Sequence, residues 1–78
     1  MIRRREKLVI AFHTTEAAMA MEACCRRRQA PGRLIPLSGA ISADCGLAWC
    51  AETAHEEELL DLMLAEGICC QGVYRCLI

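Results

Sequence analysis

Aromatic residues are scarce in this 78-residue chain: Phe12, Trp49 and Tyr74 are the single members of their types. Alanine, leucine and cysteine must therefore fill most of the interior. Such a core is thin for one small domain spanning residues 1–78, so association with a second copy would help it. An excess of charge of either sign is also missing. Nine basic and ten acidic residues leave a net charge of -1. No global field attracts nucleic acid, and the basic clusters Arg3–Arg5 and Arg26–Arg28 are not interleaved with aromatics that could stack on bases. Those clusters read as a solvated terminus and the solvated end of a helix. Long apolar runs are missing too. The stretch after Arg5, Leu8–Phe12, is too short for a signal peptide or a membrane span. The expected setting is cytoplasmic, with no membrane partner. No repeat, linker or low-complexity segment divides the chain.

Chemical motifs are sparse in the same way. There is no P-loop and no GxGxxG, and Gly32, Gly39 and Gly46 are spaced too irregularly to cradle a phosphate. No CxxC pair exists, so no metal is expected, and no organic cofactor is implied either. What the chain does have is seven cysteines. The odd number and the vicinal pairs Cys24-Cys25 and Cys69-Cys70 argue against a disulfide framework. Most should be free thiols.

The apolar pattern orders the chain as strand, helix, strand, strand, helix, strand. KLVIAFH at 7–13 reads as a first strand. Thr14 or Thr15 caps a helix ending near Gln29, with Ala17, Met21, Cys24 and Cys25 inward. RLIPL at 33–37 is a second strand, which Pro36 assigns to a sheet edge. LAWCAE at 47–52 is a third. Thr53 and Glu56 have the spacing of a capping box for a second helix, with Leu59, Leu60 and Met63 inward and Gly67 at its end. GVYRCLI at 72–78 is the last strand. The fold class is α+β. This is the ferredoxin-like β-α-β-β-α-β arrangement: an antiparallel four-stranded sheet of order 4-1-3-2 with two helices on one face.

That topology brings three connections to one end of the sheet: 13–15, 38–46 and 67–72. Cys45, Cys69 and Cys70 belong to them, and the first helix begins there. Its free N–H groups favour an anion, so a thiol beside them would be shifted towards thiolate. Cys45 sits in a polar loop with Gly46 beside it, which lets a backbone pass close to whatever the sulfur carries. Asp44 opposes that by disfavouring a neighbouring negative charge. Cys69 and Cys70 are candidates for a second, relaying thiol. His13 is a candidate proton donor, and Thr14 a cap. Cys24, Cys25, Cys50 and Cys76 read as packing. His55 falls at the opposite end, exposed to solvent.

At this loop, IPLSGAISADCGLA resembles the selenium/sulfur carrier-like family of small bacterial proteins. The family pattern is an apolar residue, Pro-x-Pro-Arg, an apolar and Ser stretch, then Cys-Gly-Leu-Ala. Pro36, Ile41, Ser42, Cys45, Gly46, Leu47 and Ala48 match it, and AFHTTEAAMAMEA upstream is similar to the family's first strand and helix. Where the family has its second Pro and Arg, this chain has Ser38 and Gly39; Arg33 is the cation that would substitute. The resemblance implies that Cys45 accepts sulfur or selenium as a persulfide or selenopersulfide. The donor would be a protein such as a cysteine desulfurase, and the acceptor is open. That is a carrier rather than a turnover enzyme, sulfurtransferase-like if active. Two readings from other classes stand beside it. One is a thiol redox protein pairing Cys45 with Cys69 or Cys70. The other is an interaction module whose cysteines only pack.

Overall fold

The computed structural model describes residues 6–37 and 46–77. Four strands form one antiparallel sheet: β1 (Glu6–Ala11), β2 (Arg33–Pro36), β3 (Leu47–Glu52) and β4 (Gly72–Leu77), in the order β2-β3-β1-β4. Read from the other edge this is the order expected from the sequence. Helix α1 spans Thr15–Arg28 and helix α2 spans Glu56–Glu66.

Strand alternation sorts the sheet into two faces. Leu8, Ile10, Trp49 and Ala51 join Phe12 in one buried cluster with Ala18, Met21, Cys24 and Cys25 of α1 and Leu59, Leu62 and Met63 of α2. Both helices therefore cover the same face. On the other face Val9 lies opposite Cys50, and Lys7 lies opposite Glu52. Lys7 Nζ there donates to Glu52 Oε1, a pairing that cross-strand neighbours on one face permit. Helix placement differs from the sequence expectation in two places, by one position in α1 and by two in α2. Ala18 is fully buried and Ala17 only partly so, while Leu62 is buried where Leu60 is half-buried. A 3.6-residue period leaves a position on each flank of an apolar stripe competing for burial, and packing chooses between them.

The helix ends show local chemistry directly. Thr14 caps α1, its Oγ1 accepting from Ala17 N–H at 3.1 Å. Both helices stop with a left-handed residue, Gln29 (φ 55°) and Gly67 (φ 70°), followed by a six-to-one bond: Ala30 N–H to Cys25 O at 2.8 Å, and Ile68 N–H to Met63 O at 2.9 Å. This is the Schellman closure, which satisfies carbonyls that the helix leaves unpaired. The expected Thr53–Glu56 capping box is corrected. Thr53–His55 form a 3-10 turn that leads into α2, and neither Glu52 nor His55 makes a side-chain cap bond. The tighter turn satisfies early N–H groups through backbone bonds instead, as in that of Glu56 N–H to Thr53 O.

Arg26–Arg28 are not merely a solvated helix end. Arg26 pairs with Glu22 on its own helix, and Arg27 and Arg28 reach Glu66 of α2, Arg28 Nε at 3.1 Å. The guanidinium groups hold the Glu66 carboxyl below the usual carboxylate range, Arg28 contributing first through its hydrogen bonds.

Candidate functional site

The strand register defines one end of the sheet. Ala11 closes β1, with Ala48 of β3 on one side and Gly72 of β4 on the other, and Pro36 of β2 lies opposite Leu47. The turn before α1, the β2–β3 connection and the α2–β4 connection all leave from this end, as the topology required. Two backbone bonds pin it. Leu37 N–H donates to Gly46 O at 2.8 Å, and Gln71 N–H donates to Ala11 O at 2.7 Å.

Cys45 lies outside the described residues. Its neighbour Gly46 is described. Gly46 has φ 73°, a conformation that favours glycine, and among the described residues nothing lies within 4 Å of where a Cβ would sit. The β2–β3 connection thus returns to the sheet through a residue with no side chain.

Beside this end is an open depression of about 460 Å³ lined by His13, Thr14, Glu16, Ala17, Gly67 and Cys69, with Ala20, Glu66 and Ile68 completing it. The N-terminus of α1 forms part of it. The first N–H groups of a helix have no intrahelical acceptor, so this wall is electropositive. The carboxylate of Glu16, on the same lining, opposes that field. His13 and Thr14 are exposed, and Thr14 is occupied as the cap.

The vicinal pair divides its roles. Cys69 is exposed in the depression, whereas Cys70 is half-buried and packs against the core. Burial pushes the Cys70 thiol up, its own backbone hydrogen bond pulls down, and the neighbouring Cys69 adds to the rise. Of the two, Cys69 is the thiol that a partner can reach. Cys24 and Cys25 pack in the core cluster as expected, whereas Cys50, though buried, and Cys76, half-buried, lie outside that cluster. Burial, with Cys24 and Glu58 adding, raises the Cys25 thiol to about 11.

Two arrangements were missed at the level of sequence. Arg33 pairs in register with Cys50, three residues before Pro36, so it stands towards the far end of β2 from Gly46. It is corrected as the substitute for a cation at the loop. Instead Arg33, Lys7, His55 and Cys50 line a second open depression. Burial raises the Cys50 thiol, with Lys7 and Arg33 pulling the other way. His55 is only half-exposed, and its Nδ1 lies 3.2 Å from Glu58 Oε1. No local motif announces this grouping, because β-register alone assembles it. Among the described residues, no group of three or more His, Cys, Asp or Glu could hold a metal ion. No described helix is long and apolar enough to cross a membrane.

The chain is an α+β protein with one open antiparallel sheet of four strands and two helices. The family model described as "Putative Se/S carrier protein-like" matches residues 7–75, and the chain belongs to that family. No curated protein and no solved structure matches the chain.

Proposed function

We propose that the chain carries sulfur or selenium on Cys45. The observation that carries this reading is the family match across residues 7–75, a span that includes the Cys45-Gly46 motif. The fold is consistent with it. Gly46 stands at the sheet end where three connections meet, and the α1 N-terminus offers an electropositive wall close to that end.

The transfer is a thiol exchange. The Cys45 thiolate attacks the outer sulfur of a donor persulfide, such as that of a cysteine desulfurase. A new S–S bond forms on Cys45, the donor's S–S bond breaks, and the donor cysteine leaves as a thiolate. A second attack by an acceptor thiolate on the same outer sulfur returns Cys45 to its starting state. Electrons balance without an external oxidant. An anionic persulfide gains from helix N–H groups, and Gly46 removes a side chain that would crowd it.

The test is intact-mass spectrometry after incubation with a cysteine desulfurase and cysteine, with selenocysteine in parallel. The expected gain is about one sulfur or selenium atom per chain, mapped to Cys45 and abolished by Cys45→Ser. Equal loading of the Cys45→Ser variant would overturn the assignment. A second reading, a redox pair between Cys45 and Cys69, is favoured by the exposure of Cys69 at the same sheet end. It predicts instead a loss of two hydrogens on mild oxidation and a crosslinked Cys45–Cys69 peptide.

A further inference from the structure

Three of the five exposed large hydrophobic side chains found among the described residues lie on β4: Val73, Tyr74 and Leu77. The other two, Met19 and Leu64, stand singly on separate helices. Strand β4 is a sheet edge, as is β2. The two edges are defended differently. Strand β2 has four residues, ends at Pro36 and carries an exposed Arg33. Short length, proline and charge all discourage pairing with another chain. Strand β4 has six residues, with no proline and no lysine.

The single charge on β4 is already met within the chain. Arg75 donates to Glu56 Oε1 from Nε at 3.1 Å and from Nη2 at 2.7 Å. The edge therefore presents backbone donors and acceptors and apolar side chains with no net charge. A strongly acidic or basic segment would gain nothing there. A second copy of the same strand meets no like-charge penalty, provided the two Arg75 side chains are not set opposite each other.

We infer that the chain forms a two-fold dimer by antiparallel pairing of β4 with β4 of a second copy, centred on Tyr74. An axis perpendicular to the sheet must pass midway between one residue of the strand and the same residue of its copy, because directly opposed residues share a face. Centring on Arg75 would oppose two guanidinium groups directly, which is destabilising. Centring on Tyr74 sets aromatic against aromatic, Val73 against Arg75 and Gly72 against Cys76. Gly72 suits this register. The Tyr74 hydroxyl lies 2.6 Å from where a Gly72 Cβ would be, so the ring already uses the space that glycine leaves. The product is a continuous eight-stranded sheet with all four helices on one face. The two Gly46-bearing ends point in opposite directions, so both stay accessible.

The experiment is sedimentation equilibrium on the full chain, with oxidative crosslinking of Tyr74→Cys. Directly opposed residues of an antiparallel pair have Cα atoms about 4.5–5.5 Å apart, within disulfide reach. The expected result is a dimer, a position-74 homocrosslink identified by peptide mapping, and at least about tenfold weaker association for Val73→Lys and for Leu77→Lys. Ile35→Lys on β2 should leave association unchanged. Far-ultraviolet circular dichroism and Trp49 fluorescence establish that each variant is folded. A monomer at about 200 μM, well above ordinary specific affinities, overturns the inference. So does a dimer that is insensitive to both β4 variants or broken by the β2 variant.

Discussion

Gly32 shows how much one residue can decide. Its φ is 110°, and a Cβ there would meet Trp49 Nε1 at 2.3 Å and Cys50 O at 2.7 Å. The indole N–H of Trp49 donates to Pro31 O at 3.0 Å, so the turn and the buried tryptophan hold each other. Gly32→Ala must strain the backbone and displace a ring or a strand carbonyl. The expected loss is about 2–4 kcal/mol in urea denaturation, from backbone strain together with overpacking. Trp49, the one tryptophan, reports it by a fluorescence shift in the folded state. From the sequence, Ala30-Pro31-Gly32 was legible as a helix stop. The reason that the third residue must be glycine was not, because it depends on a tryptophan seventeen positions away.

At the scale of elements, the caps are the most local features and the most legible. The side chain of Thr14 satisfies the N–H of Ala17 at the start of α1. Thr14→Ala should cost about 1 kcal/mol, measured as a lowered urea midpoint with unchanged m-value. Thr14→Ser should recover most of it. Since Thr14 also lines the Cys69 depression, Ser keeps the hydroxyl there too. Gly67 was readable as the end of α2 for the same local reason. The start of α2 was not. Thr53 and Glu56 have capping-box spacing, yet the chain leaves β3 through a 3-10 turn. A spacing rule does not contain the direction in which a strand delivers the chain.

For the whole molecule, the buried thiols set an alkaline limit. Burial is the first cause of the rise at Cys25, Cys50 and Cys70, and it takes Cys25 to about 11. A thiol whose folded pKa lies above its unfolded value of 9.0 favours folding fully below pH 9, and that advantage is lost as pH rises towards 11. Denaturant midpoints should therefore be flat from pH 7 to about 8.5 and fall between pH 9 and 11. Cys25→Val should shallow that fall while leaving the neutral-pH fold intact. A fall of equal steepness in Cys25→Val would assign the limit to other groups. The proposed loading of Cys45 and the proposed β4 pairing belong to this scale also, since each needs the assembled sheet.

Strand and helix order, the α+β class and the edge position of β2 follow from local pattern: period-two and period-3.6 apolar spacing, caps and one proline. The Cys45-Gly46 motif is likewise visible in sequence. Tertiary structure alone separated Cys69 from Cys70, because adjacent residues of one loop differ only in which turns to the core. It alone moved Arg33 to Cys50, tied Arg27 and Arg28 to Glu66, and paired Arg75 of the β4 edge with Glu56. Each of these depends on register and helix placement, which join residues tens of positions apart and leave no trace in local spacing.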